Sequence, residues 1–114
     1  MNLDDWLDKL LEKCAKSMTP DYSTFYSEVD EKLATGVSPR DFCEVFAAKV
    51  KEYDGLMRIY DKRGRQEHKP SSAELAEFKS TFQKYKLLNG CAEKLPTEIR
   101  QQIANLAGCP VMGT

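Results

Sequence analysis

Residues 38–60 read SPRDFCEVFAAKVKEYDGLMRIY, the longest helical pattern in the chain. Ser38 supplies a hydroxyl cap, and Pro39 follows at the first helical position, where its missing N–H costs nothing. Apolar side chains then recur at spacings of three and four residues, at Phe42, Phe46, Val50, Tyr53, Met57 and Tyr60. Since this stripe stays in phase across Asp54-Gly55, it predicts one continuous helix with a weak point at the glycine.

Four shorter helices are predicted around this one, because apolar residues at helical spacing lie between cap and stop signals. The first runs from about Leu3 to Lys16, the second from the Thr19-Pro20 cap to Gly36, the fourth from the Ser71/Glu74 capping box to Asn89-Gly90, and a short fifth from Pro96 to Gly108. No stretch of four or more residues combines the alternation of a strand with enrichment in β-branched residues. We expect one all-α domain over residues 1–114, a small bundle of four main helices plus a short C-terminal helix.

The composition is that of a soluble globular protein. Of 114 residues, 41% are hydrophobic and 31% are charged, which is close to the average for such domains. No apolar run approaches the roughly 18 residues of a membrane span. The first residues are acidic rather than basic, which disfavours a secretory signal. We expect a cytoplasmic protein that makes no membrane contact.

Cysteine and histidine usage predicts neither a metal site nor a cofactor. The four cysteines are far apart and form no C-x-x-C pair, and His68 is the one histidine. Structural zinc sites usually take two ligands from one tight loop, which this chain does not offer. Cys14 lies on the apolar stripe of the first helix, so we expect it to be a buried hydrophobic residue. No glycine-rich phosphate loop or nucleophile elbow is present, and we expect no enzyme.

One spacing in the chain resembles a ribonuclease motif. Arg63 and His68 are separated by four residues, and this R-x4-H spacing resembles the R-x4-6-H motif of the HEPN family, small all-α domains of which many cleave RNA. The resemblance implies that the arginine stabilises phosphate charge while the histidine moves a proton during attack by the 2′-hydroxyl. Here the pair flanks Gly64 and precedes Pro70 in a predicted loop, whereas the family motif lies on or at the start of a packed helix.

The segment Asp61–Pro70 has no apolar residue and is predicted to be an exposed, basic connector. The predicted partner-binding residues lie in it and just before it: Arg58, Tyr60, Lys62, Arg63, Arg65, His68 and Lys69. Charge is also divided along the chain. Residues 1–57 carry a net charge of −5 and residues 58–114 a net charge of +4, so the second half favours an acidic partner or nucleic acid.

The features above favour binding over catalysis. We expect a small interaction module of bacterial or phage type, an adaptor, a chaperone-like subunit or an inhibitor, that docks on another protein with an acidic surface and uses tyrosine at the rim of the contact. Self-association is a further alternative. The main alternative is nucleic-acid binding through residues 58–69, which the pI near 5.9 disfavours. The HEPN-like ribonuclease, with Arg63 and His68 as catalytic residues, is ranked below it.

Overall fold

The computed structural model of the protein describes residues 2–16, 19–65 and 69–108, with the backbone alone at positions 64 and 65. Within these ranges all regular structure is α-helical, which confirms the predicted fold class. The helices are α1 (Leu3–Cys14), α2 (Tyr22–Ala34), α3 (Pro39–Arg65), α4 (Ser72–Lys94) and α5 (Thr97–Ala107). None of these five combines the length and the apolar character that crossing a bilayer requires.

Several helix ends lie where the caps predict them. Ser38 and Ser71 each accept a hydrogen bond from the backbone N–H three residues later, at 3.4 and 3.2 Å, and so begin α3 and α4. Gly36 and Gly108 have φ angles of 89° and 69°. This left-handed conformation is open to glycine at little cost, and it ends α2 and α5.

The predicted start of α2 is wrong by a few residues, because Asp21 is the cap in place of Thr19. The Asp21 carboxylate accepts the backbone N–H of Thr24 at 3.1 Å. Its own N–H donates to the carbonyl of Cys14, the last residue of α1, at 3.0 Å. This bond ties the end of one helix to the start of the next, and it leaves Pro20 outside α2. The helix α1 itself ends at Cys14 rather than at Lys16.

The predicted connector is half wrong, since residues 61–65 form the last turn of α3. Lysine and arginine are good helix formers, so a charged segment continues a helix without needing anything to bury. The prediction that α3 is continuous across Gly55 is confirmed.

The predicted end of α4 at Gly90 is also wrong, because the helix continues to Lys94. Buried residues beyond the glycine explain this: Cys91, Ala92 and Leu95 are at most 5% exposed. Their burial stabilises another turn of helix, which outweighs the cost of about 1 kcal/mol for glycine within it.

The hydrophobic core is built around the first half of α3, which contacts α1, α4 and α5. Its members come from all five helices: Leu7, Leu10, Leu11, Cys14, Phe25, Val29, Phe42, Cys43, Phe46, Ala47, Val50, Leu87, Leu88, Cys91, Ala92, Leu95, Ile103 and Ala107. Polar contacts between neighbouring helices surround this core. Lys13 of α1 pairs with Glu28 of α2 at 3.2 Å, and the Tyr26 hydroxyl donates to the carbonyl of Lys94 at 3.3 Å.

Beyond this core, α3 and α4 continue side by side as a two-helix arm, which we define as residues 51–65 and 69–80. None of its side chains that the structure describes is fully buried. The two helices run antiparallel, since Tyr60 contacts Phe78 while Asp54 contacts Tyr85. The arm makes the molecule elongated, with extents of 47 × 27 × 24 Å.

Replacing Gly55 by alanine should stabilise the protein by about 0.5–1 kcal/mol, because alanine is the better helix former. A Cβ at this position would meet nothing within 4 Å. Denaturation by urea, followed by circular dichroism, measures the gain. An unchanged or lower free energy of unfolding would contradict the description of Gly55 as an unstrained helical residue in open space.

Gly90→Ala is the matched comparison, and we expect it not to raise the free energy of unfolding as Gly55→Ala does. Its Cβ would lie 2.8 Å from Cε1 of Tyr22, so the tyrosine ring must move away. In a Tyr22→Ala background that conflict is gone, and the same Gly90→Ala change should then stabilise by about 0.5–1 kcal/mol. Equal effects of Gly90→Ala in the two backgrounds would show that the ring does not press on the helix.

Candidate interaction surface

The arm is held together by a row of aromatic rings. Tyr60 of α3 meets Phe78 of α4 edge-to-face, with ring centroids 5.2 Å apart, and Phe78 lies 5.8 Å from Phe82. Apolar side chains beside this row remain uncovered, since Ile59 is 48% exposed and Leu75 is 53% exposed. The arm therefore presents large apolar side chains to solvent next to its aromatic seam.

The predicted binding residues are distributed along this arm. Tyr60 is half-buried in the seam, and the Arg63 guanidinium carbon lies 6.0 Å from the centre of its ring, at the outer limit of a cation–π contact. Arg58 pairs with Asp54 at 3.0 Å, one turn earlier on α3. This pairing engages Arg58 within its own helix, although its side chain is 75% exposed.

The remaining predicted residues lie at or near the free end of the arm. Lys62 and Lys69 are exposed on the two sides of the connection between α3 and α4. Arg65 is the last residue of α3, and its side chain is not described. His68 lies outside the described residues. The ribonuclease pairing of Arg63 with His68 therefore stays a prediction.

A groove that the sequence does not predict lies between the start of α2 and the C-terminal half of α4. Its volume is about 530 Å³, and it is lined by Tyr22, Phe82, Tyr85, Lys86, Asn89, Gly90, Glu93 and Lys94. The ring of Tyr22 lies directly against the backbone of α4 at Gly90, where any side chain would collide with it. The signal in the sequence is Gly90 itself, which is a point of close contact between the helices and not the end of α4.

Lys49 is the centre of an ionic cluster on the opposite half of α3 from the tip of the arm. Its ammonium lies 2.7 Å from Asp8, 3.3 Å from Asp4 and 3.7 Å from Glu52, and its side chain is 11% exposed. Burial alone would lower its pKa. The hydrogen bond to Asp8 and the other carboxylates outweigh that effect and raise the pKa above its ordinary value.

Three acidic side chains at this place, Asp4, Asp5 and Asp8, have carboxylate oxygens within 4.8 Å of one another. Asp4 and Asp8 form ion pairs with the Lys49 ammonium, whose positive charge offsets part of their negative charge. The cluster thereby joins the first two turns of α1 to α3.

The described cysteines are buried, as the sequence predicts for Cys14. Cys14, Cys43 and Cys91 are free thiols, each at most 2% exposed. Burial raises the pKa of all three, and that of Cys91 to about 12. Because the thiolate is the reactive species, these cysteines are poor nucleophiles at neutral pH. Cys109 lies outside the described residues.

Comparison with known proteins finds no significant match among protein-family models, curated proteins or solved structures. Function is therefore inferred from the surface itself.

Lys49→Met should lower the free energy of unfolding by about 1–2 kcal/mol at neutral pH. Methionine keeps the aliphatic part of the side chain but leaves three carboxylates without their shared cation. The expected loss of stability lies between that of an exposed ion pair and that of a buried one. Urea denaturation measures the loss. Lys51→Met, an exposed lysine two residues further along the helix, is the control and should change stability by less than about 0.5 kcal/mol.

The same pair of proteins tests the raised pKa of Lys49. A group with a raised pKa contributes its full stabilisation below its unfolded pKa, about 10.4 for lysine, and loses it as pH rises through the folded pKa. The difference between wild type and Lys49→Met should thus be constant around neutral pH and shrink only above about pH 10. A difference that already shrinks between about pH 7 and 9 would contradict the raised pKa.

The buried thiols should resist modification in the native state. We expect a Cys109→Ser protein at about pH 8 to react with an aromatic disulfide reagent far more slowly than free cysteine does, since each remaining thiol is buried and protonated. In denaturant all three thiols should react rapidly. Rapid reaction of any of them in the folded protein would show that the core is more open than the structure describes.

Proposed function

We propose that the protein is an interaction module that docks on an acidic surface of another protein through its arm. The observation that supports this most directly is the arm itself, two helices that leave the core and expose one large apolar side chain each, Ile59 and Leu75. An adaptor, a chaperone-like subunit or an inhibitor acting in the cytoplasm would each use such a surface.

The exposed apolar residues support docking because a partner that covers them would remove their apolar surface from water. Ile59 and Leu75 are each about half exposed beside the Tyr60–Phe78 pair. Binding a partner there would bury these side chains, at roughly 25 cal/mol for each Å² removed from water. Aromatic residues surrounded by a polar rim are typical of the centres of protein interfaces.

The charge at the end of the arm supports an acidic partner. Lys62 and Lys69 are exposed there, and Arg63 lies beside the Tyr60 ring. Cations at the rim of an interface raise the association rate and help to select the partner, more than they add affinity. Arg58, which is already paired with Asp54, contributes less of this free positive charge than the sequence alone predicts.

The experiment is affinity capture with the tagged protein, followed by binding of the purified captured protein. Lys62→Glu/Arg63→Glu should weaken that binding at least tenfold and make it less sensitive to salt. Arg40→Glu is the matched control, since Arg40 is an exposed arginine at the opposite end of α3. It should leave binding unchanged.

Other outcomes would change the assignment. Equal losses from Arg40→Glu and from the double reversal would mean that net charge, not the arm, controls binding. Retention of nucleic acid with a steep dependence on salt would favour the alternative of nucleic-acid binding. Degradation of unstructured RNA that disappears in His68→Ala would favour the ribonuclease. Recovery of nothing except further copies of this chain would indicate self-association.

A further inference from the structure

The groove between α2 and α4 lies on a different part of the molecule from the tip of the arm. Tyr22 forms one wall, and Phe82 and Tyr85 contribute aromatic rings from α4. Its volume of about 530 Å³ is in the range of small-molecule sites, which are mostly apolar with a few polar groups that orient the ligand. Gly90 is what allows the Tyr22 ring to lie so close to the helix.

Asn89 is the polar group that this groove buries. It is only 5% exposed, and it lines the groove from the C-terminal half of α4. Among the described residues, its side-chain amide has no hydrogen-bond partner. The amide atoms are nevertheless not sealed from solvent, since in the described part of the chain neither belongs to the fully buried polar atoms that lack a hydrogen-bond partner. An amide that lines a groove offers two donors and one acceptor to whatever occupies it.

Two lysines give the groove its positive charge. The Lys86 ammonium lies 4.5 Å from the centre of the Phe82 ring, and that of Lys94 lies 5.4 Å from the centre of the Tyr26 ring. Within the described ranges neither ammonium forms an ion pair. Glu93 contributes one negative charge to the lining, so the groove has a net charge of +1.

We propose that this groove binds a small aromatic carboxylate, with its ring against Tyr22 and Phe82 and its carboxylate between the Asn89 amide and the Lys86 ammonium. Lys86 and Asn89 are three residues apart on α4, which places them on the same face of the helix. The apolar walls accept the ring, the amide donates to a carboxylate oxygen, and the ammonium neutralises the charge. The groove adjoins the arm through Phe82, which contacts Phe78, but its ligand does not depend on the docking of a protein on the arm.

The test is a titration of the full chain with 4-phenylbutyrate, followed by heteronuclear NMR. Saturable shifts should appear at the Asn89 side-chain amide and at the backbone amides of Tyr22 and Gly90. The neutral analogue 4-phenylbutanamide has the same ring and chain, and it should bind at least threefold more weakly. That difference should shrink as salt is added.

Two variants assign the polar contacts. Asn89→Leu should weaken binding of the carboxylate about three- to tenfold, which is the effect of one lost hydrogen bond. Its unfolding midpoint should stay close to that of wild type, because the amide that leucine replaces forms no hydrogen bond with another described residue. Lys86→Gln should reduce the preference for the carboxylate over the amide, whereas Lys79→Gln, an exposed lysine two turns away on the same helix, should not.

The proposal is overturned if 4-phenylbutyrate causes no saturable shifts, or if the shifts map to the arm instead of the groove. Equal binding of the carboxylate and the amide would also overturn it, because the anion would then have no role. If Asn89→Leu and Lys86→Gln both bind as wild type does, the groove has no orienting groups and the assignment fails. An acidic peptide that shifts the groove amides while 4-phenylbutyrate does not bind would make the groove part of a protein interface instead.

Discussion

The length of α3 is the constraint on which the rest of the structure depends. Its 27 residues extend about 40 Å at 1.5 Å per residue. The core residues on it run only from Phe42 to Val50, roughly 12 Å of that length. A continuous helix cannot fold back on itself, so its second half must leave the core. The antiparallel α4 then accompanies it and supplies the aromatic seam that holds the arm together.

Much of this architecture could be predicted from local sequence because it depends on local interactions. The serine caps at Ser38 and Ser71 and the left-handed stops at Gly36 and Gly108 each require only a few neighbouring residues. The stripe of α3 likewise predicts continuity across Gly55, since helical phase is a local property. For the same reason the burial of Cys14 could be predicted from its place on a stripe.

The errors arose where contacts between distant segments outweigh local preference. Asn89-Gly90 is a typical helix end, yet burial of the residues after it continues α4. The missing side chain of Gly90 also makes room for Tyr22 of another helix. Asp21 replaces Thr19 as a cap because its N–H is held by the end of α1. The groove and the Asn89 amide were missed for the same reason, since a sequence pattern does not show which helices approach each other. The cluster around Lys49 also joins residues about forty positions apart.

The arm has a consequence for how such a protein can change over evolutionary time. Because none of its described side chains is fully buried, most substitutions outside the aromatic seam cost little folding stability, typically less than about 0.5 kcal/mol. Inserting about seven residues, two turns, into each of its helices would lengthen it by roughly 10 Å without altering a contact of the core. The surface offered to a partner can therefore diverge in reach, charge and shape while the part that folds the protein stays constant.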